Sequence, residues 1–170
     1  MGRERIKDAL AGAVEYLTAN PAEARYRDGS ATATLRDGLV VHVAGPGGEA
    51  VTTDMVTSVG GTGSAPSPGW LFRASAASCV ATLVAMRAAM LQIDVDELEV
   101  TVDSESDDRG ILGTDASIPA GPLSVRLAVS ARIPDADVVR LRPLVEWAVD
   151  HCPVTDALRR SVPIEIVTAD

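Results

Sequence analysis

The residues best equipped for chemistry are two cysteines, Cys79 and Cys152, the only two among 170 residues. Cys79 lies inside a long apolar stretch. Cys152 stands at a chain break, in His151-Cys152-Pro153-Val154. A thiol reacts as its thiolate, which forms near a cation or at a helix N-terminus. Pro153 is a residue type that opens helices, so Cys152 is expected at a helix start, where the dipole favours an anion. His151 is its chain neighbour. Cys79 falls about three turns into its own helix and gains nothing from that dipole. To be acidic it needs an Arg delivered from elsewhere. Two readings of the pair stand open at this level: redox chemistry, or two small apolar side chains that merely pack.

Other groups fall away. Asp103-Ser104-Glu105-Ser106-Asp107-Asp108 is acidic. It lacks the spacing and terminal bidentate Glu of a calcium loop, and reads as a solvated hairpin tip. His42 and His151 make no close ligand pair with the cysteines, so no metal is expected. Gly60-Gly61-Thr62-Gly63 lacks the Lys-Ser/Thr ending of a phosphate loop. A formal net charge of −9 argues against nucleic acid as a partner.

The elements that position the thiols follow from patterning. At 46% hydrophobic and only 3% aromatic, the core must be built from Ala, Val, Leu and Ile. Ile6, Leu10, Ala13, Val14 and Leu17 recur at helical spacing, and Asn20-Pro21 stops that helix. This divides the chain into a helical extension, residues 1–20, and a main domain, residues 21–170. Runs at 30–35 and 39–43 flank Asp37-Gly38, a hairpin signal, and residues 50–59 read as a third strand. Ser67-Pro68 caps a helix reaching to about Leu91, apolar on nearly every side. Such a helix is expected to be central and covered all round, partly by a second subunit. Arg87 within it and Arg73 at its border argue against a membrane span. Strands at 98–104 and 123–131 alternate and pair. Residues 136–149 are helical, with a kink or restart at Pro143. A short helix over 154–160 and a last strand over 164–167 close the chain. The class is α+β with largely antiparallel sheets. No secretory signal precedes it, so the expected location is cytoplasmic, where two thiols form a transient pair rather than a permanent staple.

The run Gly60-Gly61-Thr62-Gly63-Ser64-Ala65-Pro66-Ser67-Pro68-Gly69-Trp70-Leu71-Phe72-Arg73-Ala74-Ser75-Ala76-Ala77-Ser78-Cys79 resembles a signature of the OsmC/Ohr family. These are the osmotically inducible and organic hydroperoxide resistance proteins. The pattern is a glycine-rich loop, a proline opening a helix, an Ala-rich turn and the first cysteine. Cys152-Pro153-Val154 is similar to the second family motif. The resemblance covers about residues 25 to 168.

It implies an intertwined homodimer, with the long helices buried centrally and two active sites at the subunit interface. It implies a thiol peroxidase that reduces organic hydroperoxides in the oxidative stress response. Cys79 would become a sulfenic acid. Cys152 would resolve it as a disulfide, and an external dithiol would reduce that disulfide. No metal or organic cofactor is implied. Family peroxidases place a Glu after the helix-opening proline, where it holds an Arg against the thiolate. Here Gly69 and Trp70 follow Pro68. Arg27 is the best match to the family Arg, with Arg25, Arg36 and Arg73 as rivals. Trp70 reads as core or pocket wall. The missing Glu keeps an alternative in play: a non-catalytic dimer that binds a small apolar ligand in the interface pocket. The leading helix is expected to pack on the dimer.

Overall fold

The structure is a computed structural model that describes residues 2–134 and 141–168. The chain divides into two compact units, Gly12–Ala74 and Met1–Ala11 with Ser75–Asp170. Two helices run through the division: α1, Gly2–Ala19, and α2, Pro68–Met90.

The first unit carries an antiparallel sheet of β1 (Thr32–Asp37), β2 (Val40–Ala44) and β3 (Ala50–Thr53), in that order. The Asp37-Gly38 hairpin forms as expected, and Gly38 takes the positive φ of 53° that an L side chain resists. β3 ends at Thr53, six residues short of the expected strand. The cause is Asp54, which is 1% exposed. Its carboxylate accepts the N–H of Met55 (2.7 Å), the N–H and hydroxyl of Thr62 (3.0 and 2.6 Å), and the N–H and hydroxyl of Ser64 (both 3.0 Å). These bonds curl the chain into a closed loop, with a single turn of 3₁₀ helix at Thr57–Val59. Gly61 lies so close under the Met55 carbonyl that a Cβ there would collide with it. The loop delivers Ser67-Pro68, where the Ser67 hydroxyl accepts the Trp70 N–H (3.2 Å) and starts α2.

In the second unit, α2 buries Ala76, Val80, Val84 and Ala88, together with Ala89. Steps of four residues make one stripe of a helix. The expected all-round cover is therefore not what the chain supplies by itself: outside that stripe α2 stays partly or largely exposed. By length and composition alone α2 could cross a membrane, with a mean hydropathy of 1.3. Its stripe instead forms the core of the unit. β4 (Asp96–Glu105) and β5 (Ser124–Arg132) pair antiparallel. Their alternate residues Leu98, Val100, Leu127 and Val129 pack on the cluster of Val80, Val84, Leu144 and Ala148. The acidic tip between them includes a short helix α3 (Asp108–Ile111), capped by the Asp107 carboxylate accepting the Arg109 N–H at 3.0 Å.

The helix expected over 136–149 is observed as α4, Leu141–His151, with Pro143 in its first described turn; Val138 and its neighbours at 135–140 lie outside the described residues. After α5 (Pro153–Arg159), residues 161–168 form no strand, contrary to expectation. A strand needs a ladder partner, and none is present for this segment among the described residues. Its apolar residues Ile164, Ile166 and Val167 are exposed.

Two stability outcomes follow. Leu144, 1% exposed at the centre of the cluster, should cost about 3 kcal/mol when cut to Ala, read as a Tm lower by about 10 °C. Gly61→Ala should cost about 2 kcal/mol or more, because the methyl group meets backbone that cannot move without breaking the Asp54 loop. Thermal melts followed by circular dichroism test both; an unchanged Gly61→Ala melt would contradict the closed loop.

Candidate active site

Cys79 sits in the fourth turn of α2. Cys152 is the residue between α4 and α5, in extended geometry (φ −80°, ψ 119°), with Pro153 opening α5 as the sequence predicts. Both belong to the second unit, and the fold brings them together. Cys152 is fully buried within the Val80–Val84–Leu144–Ala148 cluster, and the half-buried Cys79 packs against it. The two readings left open by the residues thus meet in one place: Cys152 is a core side chain, and it is also half of a thiol pair.

The joint between α4 and α5 holds that pair in register. A helix end leaves carbonyls without partners. The Thr155 hydroxyl reaches back to the Val149 carbonyl (2.5 Å) and the Cys152 carbonyl (3.1 Å), and the Asp156 N–H donates to Cys152 (2.9 Å). Thr155 is itself buried. It was not singled out from the sequence, although it stands three residues after an N-cap, the position from which a side chain reaches back to the N-cap residue in a capping box.

The two thiols have opposite electrostatic fates. Burial, with a further contribution from Cys152, pushes Cys79 up to about 11; the Val154 N–H offsets only part of this. Among the described residues, no cation is among the groups acting on it. Burial also pushes Cys152 upward, but there it is outweighed by the Thr155 N–H, the Cys79 thiol, the Thr155 hydroxyl and the Val154 N–H, and the net direction is down. The sulfur makes no regular capping hydrogen bond, so the N–H groups act as dipoles pointed at it. The Thr155 hydroxyl has its single proton on carbonyl oxygen, so the N–H groups and the Cys79 thiol carry most of the effect. The shifts thus run in opposite directions, up for Cys79 and down for Cys152.

His151 is engaged elsewhere. Its ring stacks on Trp147 (centroids 4.1 Å apart, 16° between planes), and Nδ1 lies 2.8 Å from the Trp147 carbonyl, so Nδ1 carries the hydrogen. The Arg87 guanidinium stands 4.9 Å from the centre of the same indole.

The arginine candidates all fall in the unit Gly12–Ala74. Arg27, Arg25 and Arg36 belong to the first unit and are exposed, Arg27 in the extended stretch before β1. Arg73, in the second turn of α2, is half-buried. Trp70, expected as core or pocket wall, is 50% exposed in this chain and is not a core residue. Among the described residues, no three His, Cys, Asp or Glu side chains gather as a metal-binding set. Asp54 is a second residue that the sequence did not flag. The Thr62 hydroxyl, ahead of the Ser64 and Met55 groups, holds its carboxyl well below the usual range. Its work is to shape the loop that leads into α2.

The sequence model of a family described as OsmC-like protein matches residues 61–167, from the glycine loop through both cysteines. No curated protein matches the sequence. Among solved structures, the chain is similar to an organic hydroperoxide resistance protein OsmC from Legionella pneumophila, at 23% identity and a TM-score of 0.59, covering 79% of this chain and 91% of that one. It is also similar to an OsmC-like protein from Mycoplasma pneumoniae, at 13% identity and a TM-score of 0.68, covering 81% and 91%. A third is an organic hydroperoxide resistance protein from Elizabethkingia anophelis, at 21% identity and a TM-score of 0.58, covering 81% and 91%. At such identities the likeness speaks for the fold, an α+β arrangement of antiparallel sheets and a central helix. The sequence match spans well over half of the chain and contains both cysteine motifs: this chain belongs to the OsmC-like protein family.

Proposed function

We propose that this protein is a thiol-dependent peroxidase that reduces organic hydroperoxides in the defence against oxidative stress. The observation that carries the reading is the contact between Cys79 and Cys152, far apart in sequence and paired in the fold. Cys79, the more accessible thiol, attacks the peroxide and becomes a sulfenic acid. Cys152 displaces the hydroxyl and closes a disulfide, which an external dithiol reopens. The chemistry asks for no metal or organic cofactor. Arg27 is the candidate cation to face the Cys79 sulfur. That two relatives in fold are named organic hydroperoxide resistance proteins supports the reading.

The working form is a cytoplasmic homodimer. Three features of the single chain support a second copy: β1 is exposed along its whole length, α2 is buried on one stripe only, and the alternating Ile164 and Ile166 have no ladder partner among the described residues. The leading helix α1 packs on that dimer as an extension to the main domain.

One observation favours a second reading. A Cys79 thiol pushed up to about 11, with no carboxylate at Gly69 or Trp70 to hold an Arg, suits a dimer that binds a small apolar ligand in its interface pocket without turnover.

Cumene hydroperoxide added to the reduced protein separates the two. The peroxidase reading expects rapid loss of both thiols and a Cys79–Cys152 disulfide by mass, abolished in Cys79→Ser and slowed at least tenfold in Arg27→Ala. Thiols that oxidise no faster than free cysteine would leave the ligand-binding reading. Light scattering on a sizing column should give twice the chain mass at micromolar concentration; a monomer would overturn the dimer.

A further inference from the structure

We propose a second, small-molecule site: a cleft between the start of α1, the end of α2 and the turn into β4, which takes a free aliphatic α-amino acid. The proposal goes beyond the peroxidase reading and does not rest on it.

The cleft lies within one compact unit, that of Met1–Ala11 and Ser75–Asp170. Its volume is about 290 Å³. Ile6 of α1, Ala88 and Ala89 of α2, and Ile93, Val95 and Leu98 give it aliphatic walls. Ala88 and Ala89 are buried, so the floor is part of the core. Two charged side chains also line it. Arg3 comes from the first turn of α1 and Asp94 from the turn into β4, and guanidinium and carboxylate are in direct contact.

The backbone sets Asp94 in place under strain. α2 closes with Gln92 in the left-handed region (φ 57°). The Gln92 N–H donates to the Ala89 carbonyl (3.2 Å) and the Ile93 N–H to the Ala88 carbonyl (2.9 Å). Glycine is the usual residue in such a closure. Glu97 is left-handed too (φ 51°), where the β4–β5 register slips between Asp96 and Glu99. A left-handed residue at a bulge is again usually glycine. Two residues with full side chains therefore hold an unfavoured conformation, one on each side of Ile93-Asp94-Val95. Strain of this kind gathers at ligand-holding segments.

The two charges choose the ligand. At the edge of an aliphatic cleft, Arg3 offers donors for a carboxylate and Asp94 offers acceptors for an ammonium. An α-amino acid carries both groups on one carbon. Its carboxylate takes the guanidinium and its ammonium takes the carboxylate, so neither charge is left unpaired when the ligand parts them. An ion pair this exposed contributes little by itself, and parting it costs little. The aliphatic side chain leaves water for the cleft. A carboxylic acid without the ammonium would bring a like charge to Asp94, and an amine without the carboxylate would bring one to Arg3. Ligand pockets start at roughly 300 Å³, so this cleft suits a ligand of the smallest kind, such as leucine, isoleucine or valine.

Equilibrium dialysis of the full chain with labelled L-leucine tests the site. The competitors are isocaproate (leucine without its ammonium), isoamylamine (leucine without its carboxylate) and glycine (leucine without its side chain). Leucine is expected to bind, and each competitor to displace it about tenfold less well than unlabelled leucine does. Arg3→Gln and Asp94→Asn change side chains outside the core, and each should weaken leucine by about tenfold. No bound leucine at millimolar concentration would overturn the proposal. Isocaproate or glycine competing as well as leucine would overturn it too, since the paired charges or the aliphatic walls would then select nothing. Binding that survives both substitutions would place the leucine elsewhere on the protein and overturn it as well.

Discussion

The candidate site of this chain depends on one contact, the meeting of two sulfurs at the junction of α4 and α5. α4 stops at His151, Cys152 turns the chain, and Pro153 restarts it as α5. That break points one sulfur into the core formed with α2, where Cys79 waits. The joint is held by Thr155, whose hydroxyl answers the carbonyl of Val149 and whose N–H faces the sulfur. A helix end normally loses its unpaired carbonyls to water. Here they are answered inside the protein, so the junction can be buried and the thiol on it can be fixed.

Burial sets the chemistry as much as proximity does. A low dielectric penalises any isolated charge, and both thiols feel that penalty. What separates them is the arrangement of dipoles. One sulfur has the Thr155 and Val154 N–H groups acting on it and shifts down; on the other, burial prevails and the shift is up. The pair therefore splits into a sulfur that prefers charge and a sulfur that prefers its proton.

A second buried polar group does comparable work in the first unit. Asp54 gathers the N–H and hydroxyl groups of Thr62 and Ser64 and shapes the loop from which α2 begins. Both devices, the Asp54 loop and the α4–α5 joint, are places where a single short side chain replaces regular secondary structure as the partner of the backbone. They lie where the chain must change direction at the two cysteine-bearing motifs.

Much of this architecture was legible in the residues. Alternation marked β1, β2, β4 and β5, Asp37-Gly38 marked the hairpin, Ser67-Pro68 marked the start of α2, and the order of the two cysteine motifs marked the family. These are local signals, written in side-chain periodicity and turn chemistry, and one stretch of chain suffices to carry each. The early end of β3, the exposed segment at 164–167, the single buried stripe of α2 and the polarity of the thiol pair were not. Each depends on what stands opposite: the Thr62 and Ser64 groups that capture Asp54, a ladder partner for the last apolar run, the cover for a helix apolar on all sides, the dipoles around one sulfur. The sequence by itself determined that two thiols sit on a central helix and at a helix break in an α+β fold. Only the tertiary structure decided that they touch, and that the buried one is the sulfur readier to lose its proton, because dielectric and dipole orientation are properties of a place in space and not of a position in the chain.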